Sequence, residues 1–153
     1  MPYKLLALDL DGTLINEECR IPETTVAKLR QAKEKGVIVT LATGRMWVST
    51  RTYANDLKLG HPLITYNGAV IKDAEGRETL YEKLVSSELV RDIISYCKTE
   101  NLYLQLYGND EIVVEKCVAE TEIDPDLKFA ACRELGDFNE YLAGPAAQTL
   151  AGS

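Results

Sequence analysis

Histidine is almost missing from this chain. His61 is the only one in 153 residues, and it sits between Gly60 and Pro62 in a turn-like setting. Catalytic triads built on histidine and histidine-rich metal centres are therefore excluded. The four cysteines, Cys19, Cys97, Cys117 and Cys132, form no C-x-x-C pair, so they read as reduced thiols and not as a zinc or dithiol motif. Long apolar runs are absent too. No segment reaches the ~20 residues of a membrane span, and the run Leu5 to Leu8 is broken by Asp9 and Asp11, which a signal-peptide core does not tolerate. Basic residues are few, 17 Lys plus Arg against 24 Asp plus Glu, and the net charge of -7 has the wrong sign for tracking a polyanion. The chain is expected in the cytoplasm, with no nucleic acid and no membrane as partner.

What is present fits a folded domain, since 27% of the residues are charged and 46% hydrophobic. Lys4 to Leu10 reads as a buried parallel strand opening onto a turn, and 12–21 as a loop. Pro22 suits a first helical position and Gly36 a stop, which predicts a helix over 22–35. Strands at 37–42 and 62–66 flank a helix from Met46 to about Lys58. Strand, helix, strand, helix, strand is half of a doubly wound, Rossmann-like α/β core. Further on, 69–72 and 78–83 read as an antiparallel hairpin, and Leu89, Val90, Ile93, Ile94 and Cys97 as one face of a helix. Strict alternation over 102–107, a turn at 108–110 and a strand at 111–115 follow. A helix over 126–135, a short helix near 138–142 and new elements beyond Pro145 complete the reading, which makes an α+β unit after the parallel core. The boundary is placed between 1–82 and 83–153.

Chemistry concentrates at two strand ends. Asp9-Leu10-Asp11-Gly12-Thr13-Leu14 closes the first strand and Thr43-Gly44-Arg45 the second. In open α/β sheets ligands bind outside the carboxyl ends of neighbouring strands, so both strings belong to one crevice. Two carboxylates spaced i, i+2 can approach one centre, where one attacks or holds a cation and the other handles a proton. Taken alone, the acids and glycine also make an ordinary turn. Thr43 and Gly44 precede a helix whose N-terminus favours anions. Arg45 there is an electrostatic misfit, which favours a functional or bridging role. Asn67-Gly68 is a common turn pair. Trp47 and Tyr53 read as packing residues, and Tyr96, Tyr103 and Tyr107 as surface or core more than substrate contacts.

D-x-D-G-T-L after an apolar strand, A-T-G-R after a second strand, and then Tyr66-Asn67-Gly68-Ala69 resemble the haloacid dehalogenase superfamily. The closer resemblance is to its Cof-like phosphatases, which carry a large α/β cap after the third strand. The resemblance implies that Asp9 is the nucleophile forming an aspartyl-phosphate and that Asp11 is the acid and base. It further implies that Thr43 and Gly44 hold phosphoryl oxygens and that Arg45, Asn67 and Gly68 face the substrate. Mg²⁺ would be bound by the Asp9 carboxylate and the Asp11 carbonyl, and the substrates would be small phosphorylated metabolites, sugar phosphates foremost.

The family also uses a lysine and a G-D-x-x-N-D motif on later core strands. Here Gly136-Asp137-Phe138-Asn139-Glu140 resembles the second superficially, with Lys128 upstream, but the residues before Gly136 show no apolar β-run. The chain is expected to stop inside the cap and to be impaired as a catalyst. The alternative is a non-catalytic fragment or interaction domain with a vestigial phosphate site. A receiver domain would need its acceptor Asp where Tyr66 and Asn67 stand, and the second acid, Asp11, argues for hydrolysis over a stored phospho-enzyme. An exposed first-strand edge predicts a homodimer or larger homo-oligomer.

Overall fold

The structure is a computed structural model that describes residues 3–118, 125–143 and 150–151. The chain divides into two compact units, Met1–Glu82 and Lys83–Ser153. The first is α/β and the second α+β, as the patterning predicts. Among the described residues no helix is long and apolar enough to cross a membrane.

In the first unit, β1 (Leu5–Leu8) pairs in parallel with β2 (Ile38–Leu41), from Leu5 opposite Ile38 to Leu8 opposite Leu41. A single parallel bridge, Ala42 to Ile64, joins β2 to β3 (Leu63–Thr65). The sheet then continues antiparallel through β4 (Val70–Lys72) and β5 (Thr79–Glu82), the expected hairpin. The crossovers carry α1 (Glu23–Glu34) and α2 (Trp47–Asp56). Pro22 is not the first helical residue but the cap before it, with extended ψ. Its fixed φ presets entry equally well there, and a one-residue offset is within the fraying of any helix end. Gly36, at φ +80°, closes α1, with Val37 donating to the Ala32 carbonyl and Gly36 to that of Lys33. These are the two bonds of a Schellman stop, which require a residue in the left-handed region. Lys33 Nζ reaches the carbonyls of Leu57 and Lys58 and so satisfies the end of α2.

Leu10, Leu14, Leu29, Val39, Leu41, Trp47, Tyr53 and Leu63 fill the core of this unit. The other face is open where β1 and β2 begin, for Leu5 and Ile38, directly opposite each other, are 59% and 40% exposed. Trp47 is packing, as expected, and it is also a staple. Its Nε1 donates to the Asp73 carbonyl, and its ring lies so close to Gly76 that any Cβ there would collide with it.

The second unit opens with α3 (Ser87–Thr99), whose cap Ser86 accepts from the Leu89 amide through its hydroxyl. Val90 and Ile94 are buried from its apolar face, but Leu89, placed on that face by its spacing, is 52% exposed. It lies in the first turn, beside the cap, and only the seam of Val90 and Ile94 meets the sheet. The sheet order is β8 (Ala131–Glu134), β7 (Glu111–Val114), β6 (Gln105–Gly108), β9 (Leu150–Ala151). The turn between β6 and β7 puts both Asn109 and Asp110 at positive φ, the geometry that tight hairpins favour. The alternation from Leu102 starts three residues before the strand does, because Asn101, at φ 53°, and the three residues after it only lead into β6.

The expected helix over 126–135 is overturned. Pro125–Lys128 makes one 3-10 turn, and Ala131–Glu134 is a strand in parallel register with β7. Pairing with a neighbour buried at Ile112, Val113 and Val114 outweighs weak local preference, and an edge strand tolerates Arg133 and Glu134 because one side of it meets water. The short helix α4 (Phe138–Ala143) buries Phe138, Tyr141 and Leu142 against α3 and β6. The expectation beyond Pro145 falls on 144–149, outside the described residues, apart from the two-residue strand β9.

Candidate active site

The site is built where β1, β2 and β3 end. Since Leu8 is opposite Leu41, the next residues, Asp9 and Ala42, emerge side by side. The chain after β1 winds tightly, the Leu10 carbonyl accepting from the amides of Thr13, Leu14 and Ile15. Gly12, at φ +67°, lets it turn three residues after Asp9, and Leu10 and Leu14 anchor the turn in the core. Thr43 is buried and its amide donates to the Ile64 carbonyl, which ties the end of β2 to β3. The Thr43 hydroxyl accepts from the Arg45 amide at 3.3 Å.

A cavity of about 400 Å³ is lined by Asp9, Ala42, Thr43, Gly44, Ile64, Asn67 and Gly68. Five of the residues singled out from the sequence, Asp9, Thr43, Gly44, Asn67 and Gly68, thus share one wall. Asp11 and Arg45 do not line it. They hold each other: Arg45 Nη2 donates to Asp11 Oδ1 at 2.7 Å and Nε to Oδ2 at 2.8 Å. The fork is bidentate, and the Arg45 side chain is 4% exposed against 53% for Asp11. The hydrogen bonds and charge of Arg45 hold the Asp11 carboxyl below its ordinary range, against the opposing effect of burial. The misfit of a cation at the start of α2 is thereby offset by a carboxylate 34 residues away.

Tyr53 completes the arrangement, a role for which its residue type and position carry no sign beyond packing. Its hydroxyl lies 3.5 Å from Arg45 Nη1 and donates to the Cys19 carbonyl at 3.4 Å, while the guanidinium carbon stands 5.5 Å from the ring centre. Burial pushes the Tyr53 hydroxyl above its ordinary pKa, so it stays a neutral donor. Tyr53 follows Arg45 by eight residues, on a helix that begins only at Trp47, and its position there counts equally as core.

Asp137, the look-alike acid, follows a strand after all, but that strand is β8 of the second unit's sheet. Its carboxylate accepts from the Asn139 amide and from Lys98 Nζ, which also meets Glu115 at 2.8 Å. The first of these contacts dominates in drawing the Asp137 carboxyl down to about 2. It serves as the cap of α4. Lys128 lies in the 3-10 turn before β8. Among the described residues no three His, Cys, Asp or Glu side chains gather as a metal cluster.

The family model for haloacid dehalogenase-like hydrolases matches residues 6–142. Phosphatase YwpJ of Bacillus subtilis is 34% identical over 109 residues, 71% of this chain and 38% of that protein. An HMP-PP phosphatase of Yersinia pestis is 33% identical over 128 residues, 84% of this chain and 44% of that protein. Among solved structures, a haloacid dehalogenase-like hydrolase from Bacteroides thetaiotaomicron superimposes with a TM-score of 0.79 at 32% identity, covering 94% of this chain and 55% of the other. A sugar phosphatase of subclass IIB of the superfamily gives 0.77 at 26% identity, covering 95% and 56%. The chain therefore spans about half the length of the relatives it matches, or less. With the acidic string at the end of β1, the threonine and glycine at the end of β2, and a family match across most of the sequence, the chain belongs to the haloacid dehalogenase-like hydrolases.

Proposed function

We propose that the chain carries the nucleophile-bearing part of a phosphate monoester hydrolase that works through an aspartyl-phosphate. The observation that carries this reading is the lining of one cavity by Asp9, Thr43 and Gly44. In it, an Asp9 carboxylate oxygen attacks phosphorus as the bond to the leaving oxygen breaks. The leaving alkoxide takes a proton from the Asp11 carboxyl group. Water, losing its proton to the same Asp11, then attacks phosphorus, which frees inorganic phosphate and restores Asp9. The Thr43 hydroxyl and the Gly44 amide would hold phosphoryl oxygens at the start of α2, where the helix dipole favours negative charge.

The donors at hand suit Mg²⁺. The Asp9 carboxylate and the Asp11 carbonyl are hard oxygens that accept no hydrogen bond among the described residues. Bound there, Mg²⁺ would neutralise charge on the phosphoryl oxygens. The Arg45 fork keeps Asp11 ionised and ready as the base of the second half-reaction, whereas the acid role needs substrate to loosen that fork. Small phosphorylated metabolites, sugar phosphates among them, are the proposed substrates. Support comes from the size of the cavity and from the names of the relatives, a sugar phosphatase and an HMP-PP phosphatase.

One observation favours a second reading, a unit that binds phosphate without turning it over: both Asp11 oxygens are occupied by Arg45. Hydrolysis of p-nitrophenyl phosphate with Mg²⁺ separates the two, because this leaving group needs no acid. Slow turnover abolished by Asp9→Asn is the expected result. Turnover unchanged by that substitution overturns the assignment of Asp9, and phosphate binding without turnover favours the second reading.

A further inference from the structure

The corner after β3 is strained and strapped to the phosphate-side loop. Tyr66, Asn67 and Gly68 follow one another at φ 51°, 55° and 91°. Two successive non-glycine residues in the left-handed region are uncommon, and for an aromatic residue the conformation persists only where the surroundings impose it. Here they do. The Tyr66 amide donates to the Arg45 carbonyl at 3.0 Å and the Asn67 amide to the Thr43 carbonyl at 3.1 Å, so the corner grips the chain on either side of Gly44.

The result is a fixed place for the Asn67 side chain. Its amide lies directly over Gly44, where a Cβ built on the glycine would stand 3.0 Å from Asn67 Oδ1 and 3.4 Å from Nδ2. A side chain at residue 44 would crowd the amide and displace it by a few tenths of an ångström, so the bare glycine leaves the amide its full position. Asn67 lines the cavity with Asp9 and Thr43, and its amide makes no hydrogen bond among the described residues. A turn asparagine that served only the backbone would need neither the grip on both sides of residue 44 nor an open glycine beneath it.

We infer that Asn67 is a ligand-binding residue whose side-chain N–H donates to an oxygen of the phosphoryl group. This rests on the reading of the cavity as a phosphate site and adds a third donor, from β3, to the two from β2. Rotation about the last side-chain bond exchanges the amide oxygen and nitrogen, so a donor is always within the residue's reach.

Titration of the isotopically labelled full chain with inorganic phosphate and Mg²⁺, followed by ¹H–¹⁵N spectra, tests it. The Asn67 side-chain NH₂ pair is expected to move along the same curve as the Gly44 amide. Asn67→Gly, which accepts positive φ freely, should keep or raise the melting temperature while weakening phosphate about fivefold to tenfold, the worth of one hydrogen bond. Asn67→Asp should weaken it further by charge repulsion. Movement of the Thr43 and Gly44 amides without the Asn67 pair, or wild-type affinity in Asn67→Gly, overturns the inference and leaves the cavity reading standing. No movement at any of these groups overturns both.

Discussion

The two ends of the Asp11–Arg45 pair are unequally buried, and that asymmetry predicts unequal costs of removing them. Asp11→Ala strips the carboxylate from a guanidinium that is 4% exposed, whereas Arg45→Met removes the buried charge and leaves a carboxylate already 53% in water. Truncating one partner of a fully buried pair costs ~3–5 kcal/mol, chiefly through the charge left behind. Solvent screens the Asp11 end, which lowers the expectation for Asp11→Ala to about 2 kcal/mol, more than a tenfold change in the unfolding equilibrium. Methionine fills the volume of the arginine stem, so Arg45→Met should cost under about 1 kcal/mol. The double variant should fall back close to Arg45→Met, giving a coupling nearly as large as the Asp11→Ala loss itself. Urea unfolding monitored by Trp47 measures all three, because it is the only tryptophan and lies buried in the first unit. Equal costs for the two single variants, or additivity in the double, would refute the reasoning.

Two further outcomes follow from groups away from this pair. The Asp137 carboxyl is drawn from its ordinary value to about 2 in the folded chain, so the folded state binds its proton less readily than the unfolded one. Its contribution to stability is complete above about pH 4 and is lost as pH falls toward 2; Asp137→Asn should flatten acid unfolding of the second unit in that window, and an unchanged profile counts against the α4 cap. Among the described residues β1 pairs only with β2, and on β1 and just before it Leu5 and Tyr3 are 59% and 78% exposed. Edge pairing between two copies is expected in sedimentation equilibrium at tens of micromolar, with Leu5→Lys shifting the chain to monomer; a strictly monomeric 17.0 kDa species refutes it.

Much of the first unit was legible because its signals are local. An apolar run followed by Asp9 and Gly12 reads as a strand meeting a turn, and Gly36 reads as a helix stop, in each case from residues within a few positions of one another. The strand Ala131–Glu134 was not legible for the opposite reason. Ala131-Cys132-Arg133-Glu134 has no apolar alternation of its own, and its conformation comes from the backbone of Glu111–Val114, some twenty residues earlier. Leu89 fails in a similar way: helical spacing names a face, but only packing decides how wide a strip of that face is covered.

Arg45 lies between these cases. The sequence does carry a sign of its role, since a cation just before a helix opposes the dipole and the misfit calls for compensation. What the sequence withholds is the compensating group, because every carboxylate in the chain is a candidate until the strands are aligned. Parallel register between Leu8 and Leu41 settles it by bringing the two strand ends together, and Asp11 is then the acid that turns toward the start of α2. The same alignment separates Asp9 from Asp11, though only one residue stands between them. Asp9 lines the cavity, while Asp11 is held by Arg45 and, through it, linked to Tyr53. Two carboxylates of one short string thus acquire different surroundings, one on the cavity and one on Arg45, from a partner that the string itself does not contain.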